Sequence, residues 1–187
     1  MKAYDFVHLA LLAINEEIRG KTKLQKTIYF LGILTGSLND LGYRPHYYGP
    51  YSAAVADAVN SLKAVGFISQ SSLGFGVVNE EGFEIARHDF TLTVEGRSVA
   101  EKKAAENPKV WEQIQKAVTH FKNAGDLDYM KMSVAAKTLF ILREKKAAAT
   151  SVELSESAKA LGWNPTAAEI ADSTKFLQSL GLVSATA

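Results

Sequence analysis

The most informative gaps in this sequence are the absence of cysteine and the near absence of net charge. Its 187 residues include no cysteine, which excludes disulfides and thiolate metal sites, and the four histidines lack the H-x₃-H or H-E-x-x-H spacing of zinc ligands. We therefore predict no bound metal and no cofactor. The 21 basic and 20 acidic residues give a formal charge of +1, so binding to nucleic acid or to an anionic membrane would need a local patch.

Long apolar runs are missing as well. No stretch approaches the roughly 18 consecutive apolar residues of a membrane span. The N-terminal segment MKAYDFVHLALLAINEEI has acidic residues within its apolar stretch, unlike a signal peptide. We expect a cytoplasmic protein that does not enter a membrane. Its 47% of hydrophobic residues can bury a core, as one domain or two small ones.

The spacing of apolar residues predicts three helices near the N-terminus. The first covers about residues 4–18, and Gly20 is expected to cap its C-terminus. The second begins at Thr22 as its N-cap and runs to about residue 35. Residues 36–49 are predicted to form a connecting loop. Pro50 suits the first turn of the third helix.

The next part of the chain changes from helical to strand-like patterns. Segments rich in Phe, Val, Ile and Thr within residues 67–96 predict two or three strands, with a hairpin turn at residues 79–82. Residues 97–120 are helical again, and Pro108 is expected to open a second helical segment. Three helices followed by a β-hairpin is the order of a winged helix, and one continuous α+β core is the alternative. We predict a mostly helical α+β protein.

The last third of the chain repeats features of the first. Residues 26–31 (KTIYFL) match residues 137–142 (KTLFIL), and residues 49–69 match residues 164–184 at seven of 21 positions. Simple amphipathic helices can also resemble each other by convergence. We favour two related helical units. The predicted division is a winged-helix-like domain at 1–96, a helical connector at 97–125 and a second helix-turn-helix-like unit at 126–187.

The tripeptide Gly-Lys-Thr at residues 20–22 has the last three letters of a phosphate-binding P-loop. A P-loop needs the pattern G-x-x-x-x-G-K-[ST], because glycine amides must wrap the phosphates. The position of its first glycine is Asn15, inside the predicted first helix. We therefore expect no nucleotide cofactor, and we expect Lys21, Lys23 and Lys26 to be solvated on a helix surface.

Four short motifs resemble known families. K-L-Q-K at 23–26, Y-Y-G-P-Y-S at 47–52, A-A-K at 135–137 and L-G-W at 161–163 together resemble the YwgA-like family, over most of the chain. The first two motifs are also similar to the Panacea, or SocA-like, antitoxin domain, over about residues 5–70. The YwgA-like resemblance implies no particular activity. The antitoxin resemblance implies binding and neutralisation of a partner toxin.

The segment H-Y-Y-G-P-Y-S at residues 46–52 is the most concentrated candidate for a binding surface. Its rings surround a Gly-Pro step, where they can stack on bases or anchor a partner protein. The alternative is that the rings pack beneath the preceding loop. The candidate partner-binding residues are Tyr47, Tyr48, Gly49, Pro50, Tyr51 and Ser52. Of these, we expect Tyr47 or Tyr51 to be the surface anchor.

A basic patch precedes and overlaps this segment. Residues 19–48 contain five Lys or Arg residues and one acidic residue, Asp40, which makes them a candidate phosphate-binding surface. On the predicted third helix, Asn60 could read adenine and Lys63 could contact phosphate, whereas Asp57 would repel phosphate. The candidate nucleic-acid-binding residues are Arg19, Lys21, Lys23, Lys26, Arg44, Asn60 and Lys63.

A catalytic site would need convergent acid, base or nucleophilic groups, and the local suggestion of one is Arg87-His88-Asp89 at a strand junction. Neighbouring side chains on a strand point to opposite faces, so His88 and Asp89 should point apart. We therefore predict a non-catalytic regulatory or adaptor module that binds a macromolecular partner, by analogy with an antitoxin. The alternative is a DNA-binding transcription regulator of winged-helix type.

Overall fold

The computed structural model describes residues 1–78, 84–125 and 127–184. In chain order the elements are α1 (Ala3–Ile14), β1 (Ile18–Arg19), α2 (Lys21–Leu34), α3 (Leu38–Leu41), α4 (Ala53–Ala64), β2 (Ile68–Val78), β3 (Glu84–Leu92), α5 (Val94–Glu106), α6 (Pro108–Asn123), α7 (Tyr129–Lys145), α8 (Ser151–Ala160) and α9 (Ala167–Ser179). The predicted mostly helical α+β class is confirmed, with 64% helix and a small three-stranded antiparallel sheet. Among the described helices, none combines the length and apolarity needed to cross a membrane.

The connection between α1 and α2 differs from the prediction. α1 ends early, at Asn15, which has a left-handed backbone with φ 53°. The following residues form β1, which pairs antiparallel with β3. Gly20, with φ 97°, is the N-cap of α2, so it does not cap α1, and Thr22 lies inside the helix. A strand of two residues has too few positions to show a periodic pattern, so β1 could not be predicted from alternation.

The start of α4 also differs. Its N-cap is Ser52, whose hydroxyl accepts the Val55 N–H and donates to the carbonyl of Leu41. Pro50 therefore lies before the helix rather than in its first turn. Within residues 36–49, predicted to be a loop, the short helix α3 forms.

β2 and β3 form an antiparallel pair in which Ser72 lies opposite His88. The sheet order is β1-β3-β2. The predicted hairpin turn at residues 79–82 lies outside the described residues. Pro108 is the first residue of α6, as predicted, while α5 begins at Val94, slightly earlier than expected.

Among the described residues, buried side chains form three apolar clusters, and α2 contributes to two of them. The first cluster joins α1, α2 and α4 to the sheet, α5 and α6. In the second, Tyr29 and Phe30 of α2 pack against α7 and α9. The third surrounds Trp163, between α7, α8 and α9. α2 is therefore enclosed on two sides, which brings the two ends of the chain together. The division at 1–96, 97–125 and 126–187 stays a prediction.

The ends of the two matched helices have the same hydrogen bonds. Phe67 N–H bonds to Leu62 O at 2.8 Å, and Leu182 N–H bonds to Leu177 O at 2.9 Å. The glycines between them have φ values of 77° and 64°. This is the Schellman pattern of helix termination. The likeness between residues 49–69 and 164–184 therefore extends to backbone geometry at the ends of α4 and α9.

Candidate functional site

Residues 46–52, here called the tyrosine corner, present their rings to solvent and bury much of their backbone. The exposed fractions are 71% for Tyr47, 52% for Tyr48 and 36% for Tyr51. The rings of Tyr47 and Tyr48 meet edge to face, with 4.9 Å between their centres. The Gly-Pro step and Ser52 are buried. The rings are thus available to a partner, while the backbone below them belongs to the interior.

The corner is held from below by Lys26, which was predicted to be solvated. Lys26 is 1% exposed, and its Nζ donates to the carbonyl of Pro50 at 2.8 Å. Burial, and secondarily the charge of Lys137, lower its pKa to about 8. The prediction that Lys26 is a solvated phosphate ligand is therefore wrong. Its position faces inward because α2 packs against helices on two sides.

The neighbouring residue, Gln25, pairs with the backbone of Ser52. Its Nε2 donates to Ser52 O at 2.9 Å, and its Oε1 accepts the Ser52 N–H at 3.1 Å. The Tyr43 hydroxyl in turn donates to the carbonyl of Gln25 at 2.7 Å. Gln25 and Lys26 of the K-L-Q-K motif therefore bind the main chain of the Y-Y-G-P-Y-S segment. The two motifs form one structural unit.

Two residues from the far end of the chain reach the same turn. Trp163 is 1% exposed, and its Nε1 donates to His46 O at 2.9 Å. Lys137 Nζ lies 5.4 Å from the centre of the Trp163 ring. A Cβ on Gly49, whose φ is 91°, would meet Lys137 Cγ at 2.9 Å, so this close approach favours glycine. All four motifs therefore converge on the tyrosine corner.

The candidate nucleic-acid ligands do not form one surface. Lys26 is buried, as described above. Arg19 and Lys23 line a cleft of about 830 Å³ beside α6 and α7, where Arg19 pairs with Glu17 at 3.1 Å. Arg44 lies at another pocket, of about 340 Å³, against α7 and α8. The structure thus divides a patch that was continuous in the sequence.

Lys21, Asn60 and Lys63 do come together. They line a groove of about 180 Å³ between the start of α2, α4 and the sheet, here called the lysine groove. Gln70 also lines it, and its Oε1 accepts a hydrogen bond from Lys63 Nζ at 3.0 Å. This grouping could not be predicted from nearness in the sequence. Lys21 lies in α2, whereas Asn60 and Lys63 lie in α4, and a long connection separates the two helices.

The Arg87-His88-Asp89 side chains divide between the two faces of β3, as predicted, although they lie within the strand and not at a junction. Arg87 holds Asp89 with two hydrogen bonds of 2.9 Å. His88 contacts Gln70 and Ser72 on the other face. Asp89 therefore forms an ion pair with Arg87 and does not orient His88. Within the described part of the chain, no three His, Cys, Asp or Glu side chains are placed to hold a metal ion.

No protein-family model matches the chain, and no curated protein matches it. Function is therefore inferred from the geometry of the tyrosine corner and the lysine groove.

Proposed function

We propose that this protein is a non-catalytic regulatory or adaptor module that binds a protein partner through the tyrosine corner. The observation that carries the proposal is the contrast between exposed tyrosine rings and the buried backbone beneath them. Tyrosine is among the residues that most often anchor protein interfaces. Rings on a fixed backbone also lose little conformational freedom when a partner binds, which leaves more of the contact energy for affinity.

The contacts below the corner support its preorganisation. Lys26 and Trp163 donate to main-chain carbonyls of the corner, and Gln25 both donates to and accepts from Ser52. Each such bond contributes about 1 kcal/mol net, and leaving the buried carbonyl of Pro50 or Ser52 unpaired would cost roughly 1–3 kcal/mol. The corner is thus held in one conformation before any partner arrives.

The antitoxin resemblance points to a class of partner. The motifs at 23–26 and 47–52, on which that resemblance rests, are the ones that build the corner. We therefore favour a toxin protein that is held and neutralised by the exposed rings. The catalytic activity would then belong to the toxin, and this chain would need only to bind it.

Site-specific photo-crosslinking tests the proposal. A photoreactive amino acid is placed at position 47, in the cells that naturally produce the protein, and at position 94 as a control, because Val94 is 81% exposed but lies outside the corner. We expect a protein adduct at position 47 that is missing at position 94 and that Tyr48→Ala weakens. Equal adducts at both positions, or none at position 47, would contradict the proposal.

The second candidate is a DNA-binding regulator of winged-helix type. The observation that favours it is the order of elements: α1, α2 and α4, with β1 and α3 between them, are followed by the antiparallel strands β2 and β3. In such a protein α4 would be the helix presented to DNA. A nucleic-acid adduct in the crosslinking experiment, in place of a protein adduct, would favour this candidate over the first.

A further inference from the structure

The lysine groove has the features of a phosphate-binding site. Its floor is formed mainly by the apolar residues Leu24, Val59 and Phe90, with the buried Gln25 beside them, and its rim carries Lys21 and Lys63. Both lysines are exposed. A rim of two ammonium groups above an apolar floor concentrates positive potential in a small concave area.

A hydrogen-bond chain holds one rim lysine in position. Lys63 Nζ donates to Gln70 Oε1, and Gln70 Nε2 donates to His88 Nδ1 at 3.0 Å. Ser72 Oγ lies 2.8 Å from the same imidazole nitrogen. Because an amide nitrogen can only donate, His88 Nδ1 is the acceptor and the neutral ring carries its proton on Nε2. Gln70 is thus a positioning residue for Lys63.

The charges around the groove are predominantly positive. Burial, and then the charges of Lys21 and Lys63, lower the pKa of His88, so both lysines act on this ring. Among the described residues, no carboxylate lines the groove or forms an ion pair with either lysine. Asp89 is held by Arg87 on the opposite face of the sheet. Asp57 is exposed on α4, one helical turn before the groove residue Asn60.

We infer that the lysine groove binds a phosphate of the DNA backbone, with Lys21 and Lys63 pairing with its charge and Asn60 donating a hydrogen bond. The inference rests on the second candidate function and deepens it by naming the contact. It differs from the sequence prediction, in which Arg19, Lys23 and Arg44 contributed to the same patch.

Duplex DNA fits this groove better than a free phosphate does. Exposed positions of α4 beside the groove carry small side chains, such as Ala53 and Ala64, so a long polyanion can approach without a steric barrier. The two lysines at its rim are exposed, so a small free anion would keep most of its hydration there. A polyanion gains instead from counterion release when lysines neutralise its phosphates.

Fluorescence anisotropy with a labelled random-sequence duplex, from low to physiological salt, tests this inference. The variant Lys21→Gln/Lys63→Gln is compared with Lys102→Gln/Lys109→Gln, which removes the same charge at exposed positions of α5 and α6. We expect the slope of log K against log salt to fall by roughly 0.9 per groove lysine, and by much less in the control. Asp57→Asn should tighten binding. Each variant should keep the thermal midpoint of the wild type.

The contrary outcomes separate the inference from the function on which it rests. Duplex binding with equal slopes in the groove variant and the control would overturn the groove assignment and leave the DNA candidate standing. No wild-type binding even at low salt would overturn both. Displacement of the duplex by inorganic phosphate, beyond the effect of chloride at equal ionic strength, would identify a free-anion site and overturn the assignment to DNA.

Discussion

The tyrosine corner and the lysine groove are built in opposite ways. In the corner, an irregular backbone is fixed by buried side chains from distant parts of the chain, such as Lys26 and Trp163. In the groove, the backbone is regular helix and strand, and the ligands are long side chains at its rim. Rings on a fixed backbone suit a partner of one shape, whereas exposed lysine side chains suit the charge of phosphates. We therefore expect the two constructions to serve different kinds of partner.

The largest expected effect is that of a glycine substitution in the corner. Gly49→Ala should lower the free energy of unfolding by about 3 kcal/mol, because it combines backbone strain at φ 91° with a clash against Lys137. Gly66→Ala is the matched control: its φ is 77°, but an added Cβ meets no atom within 4 Å. We expect a loss of about 1 kcal/mol there. Chemical denaturation measures both, and equal losses would show that Lys137 does not confine the corner.

The next largest effect is a rise in stability at alkaline pH that comes from the corner. The pKa of Lys26 is about 8 in the folded chain, against an ordinary value of 10.5, so the unfolded chain binds more protons between these values. Stability of the wild type, relative to Lys26→Met, should therefore rise from pH 8 towards 10.5. The expected gain between pH 7 and pH 10 is about 2–3 kcal/mol.

Denaturation of both proteins at the two pH values measures this gain, and the difference between them cancels the titration of other groups. Lys102→Met, which makes the same replacement at an exposed position, is the matched control. Parallel pH curves for the wild type and Lys26→Met would mean that the ammonium of Lys26 is not buried.

A smaller effect should distinguish a change in the conformation of the corner from a change in the stability of the whole protein. Trp163→Phe keeps most of the apolar packing but removes the donor to His46 O, so we expect a loss of about 1 kcal/mol and a weaker crosslink from position 47. Trp111→Phe, at a half-buried position against the first cluster, should leave that crosslink unchanged. If both variants weakened the crosslink equally, Trp163 would act only through general stability.

The smallest effect on stability is expected in the lysine groove. Lys21→Gln/Lys63→Gln should change the free energy of unfolding by less than about 0.5 kcal/mol, because substitutions of exposed side chains rarely do more. Thermal denaturation of this variant beside Gly49→Ala gives the comparison directly. A large loss in the groove variant would show that these lysines support the fold, as the corner residues do.

The part of the fold that follows local pattern could be predicted from the sequence. Apolar spacing located α1, α2 and α4 to within a few residues, Pro108 marked the start of α6, and strand alternation separated His88 from Asp89. β1 was missed because it has two residues, and its pairing with β3 depends on tertiary structure.

The interior of the candidate site could not be predicted in the same way. Lys26 is buried because α2 packs on α7, more than a hundred positions away in the sequence. One signal was present: residues 24–32 of α2 are mostly apolar or small around the whole helix, which is typical of a buried helix. The roles of Gln25, Lys137 and Trp163 beneath the corner follow from packing between distant segments, so spacing alone could not reveal them.

Amide hydrogen exchange in the tyrosine corner tests the claim of preorganisation most directly. Ser52 N–H donates to Gln25 Oε1, and Tyr51 N–H donates to Arg44 O at 2.9 Å. We predict that both amides exchange in the wild type only on global unfolding, and that Lys26→Met lowers their protection while leaving that of Leu62 in α4 unchanged. Fast exchange of Ser52 and Tyr51 in the wild type would contradict a corner held rigid before its partner binds.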